Sequence, residues 1–330
     1  MKIKNTFFTK MINKFDFEDI NLVPKKCVVD SRSECNTSVS LGKFKFKLPV
    51  VPANMECVID EHIATTLASN GYFYIMHRFG LNPIDFIKKM KSKKLVSSIS
   101  LGVNQDSYDT IDEIVLANQV SGTDYTPDFI TIDIAHGHSI KMEKMLKYIK
   151  EKLPNTFVIA GNVSTSTAVM ELENWGADAV KVGIGPGSAC TTWPTTGFGS
   201  RNCQASTIME CARVAKKPII ADGGIRVPGD IAKSIVLGAT MIMVGGMLSG
   251  FKDSPGHLVN VDGKNKKEFW GSASQFQSGK SNRIEGTKIL IEYKDRYVVD
   301  EMKYLEECLQ SSISYGGGSE LNCLRNVRWI

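Results

Sequence analysis

The residue types most able to do covalent chemistry lie between Lys181 and Thr192, in the order Lys-Val-Gly-Ile-Gly-Pro-Gly-Ser-Ala-Cys-Thr-Thr. A short β-type run, Ala179–Val182, leads into Gly183, Gly185 and Gly187, broken by Pro186. Glycine reaches backbone conformations closed to other residues and lets amides approach a ligand closely. The loop then delivers Cys190, followed by the hydroxyls of Thr191 and Thr192. A thiol at the end of a glycine-rich loop stands where a covalent nucleophile would stand. Without that context a lone cysteine reads as a small buried apolar residue. The spacing is not a dinucleotide fingerprint, because the third glycine of that pattern would fall on Ser188. Asp222-Gly223-Gly224 and Gly245-Gly246 look like phosphate-binding backbone loops, and the Asp222 carboxylate can accept hydrogen bonds from a ribose diol. His136 and His138 have no third ligand at fitting spacing, so no transition-metal site is expected.

The elements that must position these groups are short β-rich runs, each followed by small or polar residues and then a helical stretch. The runs are Pro49–Val51, Tyr72–Met76, Leu95–Ile99, Phe129–Ile132, Phe157–Ala160, Ala179–Val182, Pro218–Ala221 and Met241–Val244. Helical patterns fill the intervals, for example Ile84–Met90, Met142–Lys152 and Ser206–Ala215. Several runs are apolar at successive positions, as expected for parallel strands buried on both faces. Eight strand–helix units predict an α/β fold of the (β/α)8 barrel type, one domain over residues 1–330 with an N-terminal extension over 1–48. Barrel chemistry sits at the C-terminal strand ends. Asn54, His77-Arg78, Asp133 with His136, Asn162, the Cys190 loop, Asp222-Gly223-Gly224 and Gly245-Gly246 all fall there.

Beyond the eighth unit, residues 251–285 are rich in Gly, Ser, Lys and Asn and predict a long irregular segment. In a compact domain such a segment is an active-site lid or is disordered, and a lid is placed over about residues 251–286. Within it Gly271-Ser272-Ala273-Ser274 is another phosphate-type loop. Residues 301–310 are helical in pattern, and 311–318 turn the chain before a basic, aromatic tail.

Composition narrows the function classes. The chain of 330 residues is 42% hydrophobic and 23% charged, ordinary for a globular protein. Its net charge of +5 suits a small anionic substrate, and no Lys/Arg run is long enough for a nucleic-acid patch. No apolar run approaches a membrane span, and Lys2, Lys4 and Lys10 with only Phe7-Phe8 leave no signal-peptide core. The eight cysteines lack Cys-x-x-Cys spacing, which predicts a reduced, cytoplasmic chain.

Several stretches together resemble the IMP dehydrogenase/GMP reductase family: Val51–Met55, Asp133–Gly137, Ala160–Val163, the 181–192 loop, Ile220–Arg226, Met243–Met247 and Ile284–Gly286. The resemblance covers about residues 20–325. It implies that Cys190 attacks C2 of a purine nucleotide, with Thr192 and Glu285 as its catalytic partners. Substrate contacts are implied at Ser188, Asp222, Gly223, Gly224, Gly245, Gly246, Gly271, Ser272 and Gly286. A potassium ion is implied on the carbonyls of Gly185, Gly187 and Cys190. Nicotinamide-cofactor contacts are implied at Arg78, Asp133, Ile134, Ala135, Ile184 and Gly185, with Ser31, Arg32 and Ser314 reaching in from a neighbouring subunit of a homotetramer. Arg78 departs from the lysine of many members, and the two cations differ in geometry.

The family's dehydrogenases usually carry a regulatory domain inserted in the barrel and an Arg-Tyr pair in the lid that generates hydroxide. This chain has no such insertion, and between Gly271 and Glu285 it carries Gln275-Phe276-Gln277 and Arg283-Ile284 instead. The resemblance therefore implies the reductive branch: NADPH-dependent deamination of GMP to IMP, releasing ammonia. The alternatives are a dehydrogenase without its regulatory domain and a catalytically inert nucleotide-binding regulator. An inert protein would have no need to keep Cys190, Thr192 and Glu285 together.

Overall fold

The chain enters the fold through a hairpin, β1 (Val39–Leu41) with β2 (Phe44–Phe46), and then builds a curled parallel wall. The structure, a computed structural model, describes residues 14–278 and 284–330. Arg283 and the N-terminal Lys2, Lys4, Phe7, Phe8 and Lys10 therefore lie outside the described residues. The wall consists of β3 (Val50–Pro52), β4 (Ser98–Leu101), β5 (Phe129–Asp133), β6 (Phe157–Val163), β7 (Ala179–Val182), β8 (Ile219–Asp222) and β9 (Met241–Val244). They are hydrogen-bonded in the order β3-β9-β8-β7-β6-β5-β4, so the sheet curls until its last strand meets its first.

The gap between β3 and β4 is filled by Tyr72–Met76, which the sequence predicts as a strand. The segment is buried throughout but makes no continuous ladder. The Lys47 amide donates to the Gly71 carbonyl (2.9 Å), and the Met76 amide to that of Ser98 (3.2 Å). The Tyr74 hydroxyl donates to the Val96 carbonyl (2.7 Å) and accepts from the Ser98 amide (3.2 Å). A side chain thus takes up the backbone groups that strand pairing would have used. The architecture is the α/β barrel, with this eighth position closed by isolated bonds and side-chain packing.

Outside the wall lie α1 (Glu61–Ser69), α2 (Pro83–Ser92), α3 (Gln105–Ser121), α4 (Ile140–Lys152) and α5 (Ser166–Asn174); the short α6 (Thr192–Thr196) follows directly on Cys190, and α7 (Gln204–Val214) and α8 (Pro228–Val236) again lie outside. Side chains that accept from first-turn amides start several of them: Asp60 from Ile63, Asn82 from Ile84, Ser139 from Met142, and Thr165 from Ala168. In α4 the buried residues are Met142, Met145, Leu146 and Ile149, one stripe at helical spacing that leaves the lysines outside.

The described residues of 251–286 are not an irregular segment, contrary to the expectation. They carry β10 (Leu258–Val261), β11 (Lys264–Trp270) and α9 (Gln275–Ser278), and β12 (Lys288–Glu292) completes an antiparallel flap of three strands. Lysines camouflage β11 in the sequence. Lys267 is only 6% exposed, because its ammonium donates to the carbonyls of Lys252 (3.3 Å) and Ser254. The β10–β11 turn is Asp262-Gly263, both at positive φ (51° and 76°), the two-residue geometry that matches hairpin twist. The last helix, α10 (Val298–Tyr315), packs against α8 and α1 and closes the outer ring.

The floor of the barrel is aromatic. Phe44 and Phe46 of the hairpin meet Phe73, Phe129 and Phe157 at the starts of the wall segments, with ring centroids 4.8 Å apart for Phe46–Phe73 and Phe73–Phe129 and 5.3 Å for Phe129–Phe157. Replacing Phe129, which is fully buried, by alanine is expected to cost ~3–5 kcal/mol in denaturant unfolding. A loss under about 1 kcal/mol would mean that the floor does not hold the barrel shut.

Candidate active site

The loop that carries Cys190 is fixed at its root. Gly183 (φ +146°) leaves β7 so close to β8 that a Cβ there would lie 1.9 Å from the Asp222 carbonyl oxygen. The Gln204 side-chain amide bridges the two strands, donating to the carbonyls of Val182 (3.0 Å) and Asp222 (3.1 Å). Ser200 and Ile184 pin the loop further through two amide bonds, of 2.7 and 3.2 Å. At the far end the Cys190 amide donates to the Gly187 carbonyl (3.1 Å), and the cysteine is half-buried.

Cys190 Sγ donates to Thr192 Oγ1 (3.2 Å), and Thr192 Oγ1 donates to Glu285 Oε2 (2.7 Å). Glu285 comes from the flap and is held by a short antiparallel pairing with the loop. The Thr191 amide donates to the Glu285 carbonyl (3.1 Å), the Thr287 amide to that of Ala189 (3.0 Å), and the Thr191 hydroxyl to that of Ile284 (2.7 Å). Gly286 bridges Cys190 directly, and the Gly271 amide donates to the Thr287 carbonyl (3.1 Å), which brings Gly271 and Gly286 beside the thiol. Thiol, hydroxyl and carboxylate in series form a path along which a proton can move.

Below the loop lies a buried charge cluster. The Lys181 ammonium, on a residue only 2% exposed, sits 2.8 Å from Asp133 Oδ1 and 2.8 Å from Asp222 Oδ2. Asn54 donates to Asp133 Oδ2 (3.0 Å), and Asn162 donates to Asp222 Oδ2 and to the Gly183 carbonyl (2.7 Å each). Burial alone would raise the Asp133 pKa, but the Lys181 charge and hydrogen bond outweigh it and hold the carboxyl below its ordinary range. Burial likewise opposes the Lys181 charge, and the two carboxylates overcome it, leaving the ammonium firmly protonated. In the sequence Lys181 only marks the start of the loop. The overlooked signal is a lysine inside the apolar strand Ala-Val-Lys-Val, since a lysine is rarely buried unless paired.

The remaining site candidates divide by position. Gly223 and Gly224 follow β8, Gly245 and Gly246 follow β9, and Ser188 is exposed on the loop. Ile134 and Ala135 follow β5, and Ile184 and Gly185 lie on the loop beyond β7. Ser272 follows β11 in the flap, next to Gly271. Arg78, past the Tyr72–Met76 segment, is exposed and lies over the Phe79 ring, 4.9 Å from its centroid. Beside it His77 is buried, which lowers its pKa, and its Nδ1 accepts from the Phe79 amide. Ser31 and Arg32 instead line an outer cleft of about 1180 Å³ between the N-terminal extension, α8 and α10. Ser314 lies on α10, its hydroxyl 3.2 Å from Cys27 Sγ. None of the residues lining that cleft belongs to the Cys190 loop or the flap, so one chain does not bring Ser31 and Arg32 to the thiol. His138 pairs with Glu171 (2.8 Å), and among the described residues no three His, Cys, Asp or Glu side chains cluster to hold a metal ion. No described helix is long and apolar enough to cross a membrane.

Lys181 fits because its neighbour in register on β6 is Gly161, where a Cβ would lie 2.4 Å from Lys181 Cβ. Gly161→Ala is expected to cost ~1–3 kcal/mol through overpacking, visible in thermal or denaturant unfolding. An unchanged unfolding curve would show that the wall yields there.

Residues 14–327 match the family described as the IMP dehydrogenase / GMP reductase domain. The chain is 54% identical over 321 residues to a GMP reductase of Bacillus cereus, covering 97% of this chain and 96% of that one. The same values relate it to a GMP reductase of Bacillus anthracis. A GMP reductase of Albidiferax ferrireducens is 54% identical over 316 residues, covering 96% of this chain and 95% of the relative.

Proposed function

The chain belongs to the IMP dehydrogenase/GMP reductase family, and we infer from that membership and from its site that it is the reductase: an NADPH-dependent oxidoreductase that converts GMP to IMP and ammonia. The observation that carries the reading is the Cys190–Thr192–Glu285 series, assembled from a barrel loop and the flap. The Cys190 thiolate adds to C2 of GMP. The 2-amino group takes a proton and leaves as ammonia, which creates a thioimidate at C2. Thr192 and Glu285 carry the protons of this step, since the hydroxyl already bridges sulfur and carboxylate. The reduced nicotinamide cofactor supplies the hydride that the same carbon then accepts. The C2–S bond breaks, the thiolate is restored, and IMP departs. One hard displacement is thereby divided into two easier steps.

The nucleotide is held by backbone amides of Gly223, Gly224, Gly245 and Gly246 with Ser188, by Asp222 at the ribose, and by Gly271, Ser272 and Gly286 at the base. The loops after the seventh and eighth barrel segments are where such barrels commonly bind phosphate. NADPH is assigned to Arg78, Asp133, Ile134, Ala135, Ile184 and Gly185. The residues present fit it: Arg78 offers an exposed cation for a phosphate, and the Ile184–Gly185 backbone belongs to the loop that carries the thiol. Ser31, Arg32 and Ser314 are assigned to a neighbouring subunit's cofactor in a homotetramer, which accords with their place on the outer wall. A potassium ion is assigned to the carbonyls of Gly185, Gly187 and Cys190. The donor set is oxygen only, and the Gly187 carbonyl keeps a lone pair after accepting from the Cys190 amide. We take the whole chain as one barrel domain with its flap, and as a cytoplasmic enzyme whose eight cysteines are free thiols.

GMP with NADPH is expected to release one ammonia per cofactor oxidised, and IMP with NAD to give no XMP. Formation of XMP would move the chain to the dehydrogenase branch.

Two variants test the series itself. Cys190→Ala should abolish turnover while GMP binding survives, because the phosphate loops are separate from the nucleophile. Glu285→Gln should slow ammonia release by ~10²–10⁴-fold with little change in GMP affinity. Retention of more than a few per cent of wild-type kcat by the alanine variant would end the covalent mechanism, and a fully active glutamine variant would remove Glu285 as proton donor.

A further inference from the structure

Lys181 makes no hydrogen bond to the relay, yet its ammonium joins the two halves of the site. It reaches from β7 to Asp133 on β5 and to Asp222 on β8, 2.8 Å from each, with the Met243 sulfur of β9 at 3.8 Å. We propose that Lys181 is a positioning residue whose charge aims the Asp222 carboxylate as the acceptor for the substrate ribose, and locks it in register with Asp133 on the cofactor side. The proposal rests on the reading above that Asp222 receives the ribose of GMP.

The cluster holds one positive and two negative charges, the ammonium buried and both carboxylates partly buried. Every element around it contributes a group. Asn162 on β6 donates to Asp222, Asn54 after β3 donates to Asp133, and the charge of Arg78 also favours the ionised Asp133. Asn162 donates as well to the Gly183 carbonyl, so the Asp222 carboxylate is tied to the root of the Cys190 loop. With the ammonium removed, two carboxylates would face each other with amide donors alone, and their repulsion, no longer offset, would turn Asp222 from the place where the ribose needs an acceptor. A purely space-filling role would not require an amine, because a methionine occupies similar volume without the desolvation cost of a buried charge.

The test measures GMP affinity of the full-length enzyme by calorimetry, each variant being compared with wild type in the same buffer. Lys181→Met should bind GMP at least about tenfold more weakly, the loss expected when one hydrogen bond to a charged acceptor is misaligned. Lys181→Arg keeps the charge and should restore most of the affinity. Should Lys181→Met fail to fold, Lys181→Gln keeps a polar side chain without the charge and should show the same deficit.

A folded Met or Gln variant with wild-type GMP affinity, or a deficit shared equally by Lys181→Arg, would overturn the positioning role. Wild-type enzyme that binds no GMP would instead sink the functional reading on which the proposal rests.

Discussion

An ammonium in the middle of a barrel is tolerable only if carboxylates are held against it, and much of the upper barrel serves to hold them. Lys181 loses its hydration, a cost of several kcal/mol in a protein interior, and recovers it only through close, well-directed contacts with Asp133 and Asp222. Those contacts require Gly161 to carry no side chain, because its position in register is the space the lysine crosses. Asn54 and Asn162 then fill remaining acceptor positions on the carboxylates. Through the Asn162 bond to Gly183 and the Gln204 bridge between β7 and β8, the same network fixes where the Cys190 loop begins. The charge cluster and the nucleophile are therefore one mechanical unit, although they do not touch.

The flap supplies what the barrel cannot. Glu285 reaches Thr192 only because residues 284–287 pair with 189–191 in antiparallel fashion. The same pairing that covers the thiol completes its proton path, so cover and chemistry are made together. This divides the site by rigidity: the thiol sits on a loop rooted in buried strands, and the carboxylate sits on the element that lies over it.

Much of this was legible in the sequence, and the reasons for the exceptions are physical. Runs such as Ala179–Val182 and Met241–Val244 read correctly because strands buried on both faces are continuously apolar. Tyr72–Met76 has the same composition but is no paired strand, because the Tyr74 hydroxyl occupies backbone groups of its neighbour. Leu95–Ile99 is shifted toward β4 at Ser98–Leu101, since Ser100 looks like a turn residue yet faces the interior, where its hydroxyl donates to the Met76 carbonyl. The flap strands were hidden by lysines, whose burial depends on carbonyls that only the folded chain assembles. Strand-end motifs could be read as a set because a parallel barrel sends every such end to one face. The join between Lys181, Asp133 and Asp222 could not, because residues 133, 181 and 222 become neighbours only through the strand order.

The order of groups in the relay has its own logic. A carboxylate set directly against Cys190 would oppose formation of a thiolate, because two negative charges in a half-buried site repel strongly. Thr192 separates them, taking the hydrogen bond from sulfur at 3.2 Å and giving its own to Glu285 at 2.7 Å. A proton can pass along the pair without the anions meeting. Thr192 is itself 8% exposed and begins the one-turn helix α6, so its hydroxyl has little freedom to turn elsewhere. A neutral hydroxyl thus lets thiol and carboxylate share one line of hydrogen bonds without their charges meeting.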